Sequence, residues 1–210
     1  DAPDIPVETY KRYLKSRYHL LKMSKPDIDL GLSLLSEIIR EQPKFALAYL
    51  AAHLGYALLG TIGLMPAAEA FVKGKPFLDK AIELDPGLPE CQLQLAWMSF
   101  LQEWDVAGAY RHLNKSLEIR PLVDYYQSMA CTLVAEGKFS AALHYIETAL
   151  QIDPFSEINY HLKGFILYTQ ERFEEAITFF EKSIQLNHNF SVSTLYLGQA
   201  LLCAGRAEDA

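Results

Sequence analysis

Residues 157–188 read EINYHLKGFILYTQERFEEAITFFEKSIQLNH, and the reading of this stretch decides the fold. From Glu157 to Gln170, apolar and aromatic residues recur at helical spacing, with Gly164 in the middle. The tripeptide Glu171-Arg172-Phe173 turns the chain. A second amphipathic helix follows, with Ala176, Phe180 and Ser183 on one face. Two helices of about 14 residues joined by a tight turn predict an antiparallel hairpin with a short linker left over. Gly164 and Ala176 are small where the two helices must approach, and Phe180 supplies bulk between neighbouring hairpins.

Outward from this stretch the same punctuation recurs. EQP ends at Pro43, LDP at Pro86, IRP at Pro121, IDP at Pro154 and LNH at His188. The first gap is the widest, and the later ones settle to a period of about 34 residues. Twelve places before each mark stand Gly31, Gly74, Ala109, Ala142 and Ala176, all small. Eight before stand Leu35, Leu78, Leu113, Ile146 and Phe180, all large and apolar. Five before stand Ile38, Ala81, Ser116, Ala149 and Ser183, four of them small. Three columns that keep their character through five copies mean a stacked unit that cannot bury its apolar face alone.

The pattern resembles the tetratricopeptide repeat, which has an aromatic at position 4, Leu-Gly at 7 and 8, Ala at 20, an aromatic at 24, a small residue at 27 and Pro at 32. In residues 157–188 these places hold Tyr160, Gly164, Ala176, Phe180 and Ser183, with Lys163 departing at position 7 and His188 at position 32. The resemblance implies an all-α fold, a right-handed α-solenoid of about five and a half helix-turn-helix units. Residues 1–7 read as linker and 8–210 as the array, with units near 8–45, 46–88, 89–122, 123–156, 157–190 and a shorter one at 191–210. First helices are expected near 8–23, 45–59, 89–102, 123–136, 157–170 and 191–204, and second helices near 27–41, 67–84, 105–119, 139–152 and 173–186.

Two units depart from the norm. KMSKPDID lengthens the first unit's turn by about four residues, and LLGTIGLMPAAEAFVKGKP stretches the second. Pro76 lacks an N–H and clashes with the preceding turn, so a kink is expected there, or a break into helices near 66–73 and 76–84. The sixth unit starts at Ser191 and reaches only its position-20 alanine, Ala210, so the chain is expected to be a piece of a longer protein.

Half of the residues are hydrophobic, enough for a long continuous core. A net charge of −7 disfavours direct nucleic-acid binding, which needs a basic stripe. The nearest to one is YKRYLKSRYHLLKMSK at residues 10–25, which reads as a solvated helix face at the end of the array. Residues 45–68 carry no formal charge over a length that could span a bilayer. Yet His53, Tyr49, Tyr56, Gly60, Gly63 and Pro66 and the repeat register make them a buried helix. No membrane segment is expected, and the compartment expected is the cytoplasm.

Catalytic and metal-binding signatures are missing. Cys91, Cys131 and Cys203 lie far apart, and the six histidines are scattered. Cys131 and His53 read as packed residues at position 8 of their units. No HExxH, P-loop, GxSxG or dinucleotide fingerprint occurs. Glu174 and Glu175 open a helix, where they complement its dipole. The reading is a chain that is not an enzyme and has no cofactor or metal.

The resemblance implies that positions 2, 5, 9, 12 and 13 of the first helices line a concave face used for ligands. In the third unit these are Glu90, Leu93, Trp97, Phe100 and Leu101; in the fourth, Tyr125, Ser128, Thr132, Ala135 and Glu136. The fifth gives Ile158, His161, Phe165, Tyr168 and Thr169, and the sixth Val192, Leu195, Gln199, Leu202 and Cys203. The Lys/Asn/Arg set with which some members clamp a peptide's terminal carboxylate is missing. The expected site is an apolar, aromatic-lined groove of Trp97, Phe100, Tyr125, Thr132, His161, Phe165, Tyr168 and Gln199. Its expected occupant is a protein segment or peptide, and a second copy of the chain is the other candidate partner. The long second turn and Glu103-Trp104-Asp105 also resemble the repeat regions of bacterial regulators carrying winged-helix, nucleotide-cyclase or kinase domains. That likeness implies a sensory module with its effector domain upstream.

Overall fold

The computed structural model describes residues 5–101, 103–188 and 190–209. Among these residues there are eleven α-helices and no strand, as an all-α solenoid of hairpins requires. The helices are α1 (Val7–Leu20), α2 (Lys25–Glu41), α3 (Ala46–Thr61), α4 (Ala67–Leu84), α5 (Pro89–Leu101) and α6 (Val106–Ile119). They continue with α7 (Val123–Ala135), α8 (Phe139–Ile152), α9 (Glu157–Thr169), α10 (Phe173–Leu186) and α11 (Ser191–Cys203). Residues 1–4 of the expected linker, and Ala210, lie outside the described residues.

The helices fall into two compact units, Asp1–Cys91 and Gln92–Ala210. In the first, α1 pairs with α2 and α3 with α4, around fully buried Leu20, Ile28, Leu35 and Ile38. Gly31 stands where a Cβ would lie 2.8 Å from Leu20 Cδ2, so the small-residue column marks real close approach. Pro76 does not break its helix: α4 runs unbroken from Ala67 to Leu84. The residue one turn before it, whose carbonyl the ring displaces, is Val72, which is exposed, so water can take that carbonyl.

In the second unit, α7 pairs with α8 and α9 with α10, and α11 packs on α10. One core gathers Leu93, Leu113, Met129, Ile146 and Ile166; another gathers Leu167, Ala176, Phe180 and Leu201. A Cβ on Gly164 would meet the Phe180 ring at 2.8 Å, which fixes the contact expected between those positions.

Local signals set the helix ends. Ser24, Asp105 and Ser156 accept from the amides of Asp27, Gly108 and Asn159 with their side chains, which caps α2, α6 and α9. The hairpin turns pass through a left-handed residue: Met23, Gly63, Trp104, Gly137 and Glu171, with Gly205 following α11. At the last three positions, each one repeat from the next, the following amide closes back on the helix, as in Lys138 N to Leu133 O and Arg172 N to Leu167 O.

Candidate functional site

The first helices of successive hairpins, α5, α7 and α9, are equal in length and start at positions 89, 123 and 157, one repeat apart. Equivalent places are therefore Leu93, Gln127 and His161, then Trp97, Cys131 and Phe165, then Phe100, Val134 and Tyr168. The fourth unit's expected groove residues are thus one residue late, although α7 begins at Val123, where the expected unit begins. Tyr125 and Thr132 then point into the core. Tyr125 packs edge-on to Tyr126 and Tyr145, with ring centroids 5.1 and 6.2 Å away, and Thr132 Oγ1 donates to Ser128 O at 2.9 Å. Cys131, expected in the core, gives that place to Ala130 and turns to the floor of the groove, where it is largely but not fully buried.

Between α5, α7 and α9 lies a cleft of about 260 Å³. Leu93, Gln94 and Trp97 form one wall, Asp124, Gln127, Ser128 and Cys131 the floor, and Ile158 and Leu162 the other wall. Trp97 meets Phe100 edge-on at 6.3 Å. The floor is braced from below: Gln127 Nε2 donates to Asn159 Oδ1 at 2.7 Å, and Asn159 Nδ2 donates to the carbonyls of Ala149 and Asp153 at 3.1 and 3.2 Å. Burial pushes the Cys131 thiol up to about 11, so it stays protonated and is a soft apolar lining rather than a nucleophile.

The other expected residues lie further along the row. His161 is buried, and its Nδ1 is 3.0 Å from Ser193 Oγ; Ser193 is 2.8 Å from Ser183 Oγ, which donates to Glu157 O. The Ser183 proton is spent on a carbonyl, so Ser193 donates to Ser183 and the imidazole Nδ1–H donates to Ser193. Burial lowers the His161 pKa to about 4, leaving the ring neutral near pH 7. Phe165 and Tyr168 pack against Tyr196 of α11, with centroids 5.3 and 5.8 Å away. Gln199 is exposed on α11.

Of the eight expected residues, Trp97 lines the cleft with Phe100 beside it. His161, Phe165 and Tyr168 join an aromatic cluster with Tyr196, and Tyr125 and Thr132 lie in the core. Gln94, Asp124, Gln127 and Leu162 escape the sequence reading. Counting one repeat forward from Leu93, or one back from His161, finds Gln127.

The walls are poor in positive charge. Lys163 is the single Lys or Arg in α5, α7, α9 and α11, and it turns away, 2.9 Å from Glu147 Oε1 and 4.8 Å above the Phe179 ring. Among the described residues no three His, Cys, Asp or Glu side chains are grouped to hold a metal, and no helix is long and apolar enough to cross a membrane.

Residues 123–156 and 159–190 match the family model for the tetratricopeptide repeat. The transcriptional regulator HilA of Salmonella typhimurium (strain LT2) is 23% identical over 173 residues, covering 81% of this chain and 31% of HilA. The chain thus spans about a third of the length of that curated relative. The TPR repeat-containing protein MJ0941 of Methanocaldococcus jannaschii is 28% identical over 95 residues, 43% of this chain and 28% of the relative. Among solved structures, the human IFIT1 dimer with m7Gppp-AAAA superposes with a TM-score of 0.76 at 18% identity, over 89% of this chain and 45% of IFIT1. TTC0263, a thermophilic TPR protein of Thermus thermophilus, superposes with a TM-score of 0.64 at 15% identity, over 91% of this chain and 99% of that one.

Proposed function

We propose, from the premise that this chain belongs to the tetratricopeptide repeat family, that it is an interaction scaffold holding an apolar protein segment or peptide along the row of α5, α7 and α9. The observation that carries this is the cleft itself, with apolar walls of Leu93, Trp97, Ile158 and Leu162 over a floor of hydrogen-bonding side chains. An apolar pocket with a few polar groups suits one buried anchor side chain plus contacts to a ligand backbone. A phosphate-bearing ligand such as the m7Gppp-AAAA of the IFIT1 structure is a poor match. Residues 92–210 hold eight Lys and Arg against fourteen Asp and Glu, and phosphate contacts need cations.

The test is to capture a partner with the chain and then measure that partner's affinity for two variants. Trp97→Ala should weaken binding by about 2 kcal/mol, roughly thirtyfold, and Lys182→Ala on the exposed face of α10 should not. Equal affinities would move the binding surface away from the cleft.

The likeness to HilA over most of the chain favours a second reading, in which the scaffold is the sensory part of a bacterial regulator. The sequence upstream of Asp1 in the gene tests it: an effector domain there supports this reading, and its absence removes it.

A further inference from the structure

The basic stretch at residues 10–25 is more than a solvated face. Val7, Tyr10, Leu14, Tyr18 and Leu21 are each between 44% and 68% exposed. At 100° per residue they fall within an arc of about 80° along α1 and its C-cap, well away from buried Tyr13, Ser16 and Leu20. Their spacing of 3, 4, 4 and 3 is that of a helix seam. With side chains of this size, the stripe offers on the order of 500 Å² of apolar surface, far more than scattered exposed residues give.

Cations edge the stripe. Lys11, Lys15 and Lys22 lie along one side, and Arg17 lies on the other. Residues 7–25 carry six Lys and Arg against one Glu, in a chain whose net charge is −7. Glu8 and Asp27 pair with Lys11 and Lys22, whereas Lys15 and Arg17 have no ion pair among the described residues.

We propose that this stripe docks an amphipathic helix whose flanks are acidic. Apolar side chains at 3–4 spacing would fill the seam between Val7 and Leu21, and carboxylates beside them would meet Lys11, Lys15, Lys22 and Arg17. The other occupants fit less well. In a second copy, antiparallel pairing sets the lysine edge against itself, and parallel pairing sets it against Arg17, so both bring like charges together. An anionic bilayer extends well past α1 and meets the acidic remainder of the first unit, where residues 26–91 hold five Lys and Arg against nine Asp and Glu, whereas a single helix need touch only α1. Nucleic acid uses the cations but leaves Val7, Leu14 and Leu21 in water. The surface belongs to the first compact unit, and the cleft to the second.

The experiment titrates the chain with a synthetic helix of about three heptads, with Leu at the seam positions and Glu along both flanks, and with the same helix bearing Lys in place of Glu. The acidic helix should bind at least about tenfold more tightly than the basic one, with affinity falling as salt rises. Leu14→Glu, at a half-exposed position, should lose at least about tenfold while the far-ultraviolet spectrum stays helical; Val72→Glu, at an exposed apolar position on α4, should lose nothing. Equal binding of both helices, no binding, or equal losses in the two variants would overturn the proposal. So would adsorption to phosphatidylserine vesicles, or a concentration-dependent dimer, that Leu14→Glu abolishes; these would give the stripe to a membrane or to a second copy.

Discussion

His161 Nδ1 and Ser193 Oγ stand 3.0 Å apart across the junction between α9 and α11, both buried, with the imidazole as donor. Burial holds the His161 pKa at about 4, below the ordinary value of about 6.5. Between those values the unfolded chain takes up a proton that the folded chain refuses. Stability therefore falls as pH drops from about 6.5 to about 4, by a few kcal/mol from this group. Urea midpoints measured across that window should decline in the wild type and decline much less in His161→Phe. Parallel pH profiles would remove His161 as the source.

Asn159 ties three groups together beneath the cleft, the Gln127 amide and the carbonyls of Ala149 and Asp153. Asn159→Ala leaves buried acceptors unmatched and should cost on the order of 2–4 kcal/mol in chemical denaturation. A loss under about 0.5 kcal/mol would mean that water replaces the amide without penalty.

Glu171 has φ +60°, at the place where Gly137 and Gly205 sit one repeat away on either side. A side chain is strained there and glycine is not, so Glu171→Gly should raise stability by about 0.5–1 kcal/mol despite glycine's larger unfolded-state entropy. Gly137→Glu should lower it by a similar amount. Calorimetry of the pair checks both signs, and a destabilised Glu171→Gly would show that the Glu171 side chain has a contact worth more than its strain.

Ala176 is fully buried where α9 and α10 touch. Ala176→Arg forces volume and charge into that contact and should cost about 3 kcal/mol or more. A melting curve matching the wild type would place Ala176 elsewhere.

Most of the fold is legible because its periodicity repeats. The columns of small and large residues place α4, α8 and α10 at Ala67–Leu84, Phe139–Ile152 and Phe173–Leu186, each at the expected bounds. Two local expectations differ from the structure. Pro76 reads as a breaker, but a proline that follows an exposed residue, Val72, one turn earlier costs a helix less than one in the core. The fourth unit's groove is expected one residue late, although its bounds at 123–156 and a one-repeat count from Leu93 both give Gln127; on a helix one residue is a rotation of 100°, enough to exchange Gln127 and Cys131 for Ser128 and Thr132. The proline marks give the second helix of each unit. Among the third, fourth and fifth units they place the first helix less well in the third alone, where the connection after α5 is one residue longer than after α7 or α9. The aromatic cluster is half legible. Phe165 and Tyr168 stand out, but their partner Tyr196 lies on another unit, and no spacing rule says that an aromatic will be answered from the next repeat.

Successive junctions in the second unit use the same two places with different chemistry. Leu93 and Tyr125 share an apolar core, Gln127 and Asn159 exchange an amide hydrogen bond, and His161 and Ser193 join imidazole to hydroxyl, always at the same separation along the chain. The repeats are alike in backbone but not interchangeable in sequence. Excising residues 123–156 would splice the chain at the correct period and still set Leu93 against Asn159, an amide facing a hydrocarbon. The order of the units is thus written into side chains that only their proper neighbours can satisfy. This works against slipped stacking and against exchange of hairpins between molecules, hazards inherent in a chain built from near-copies.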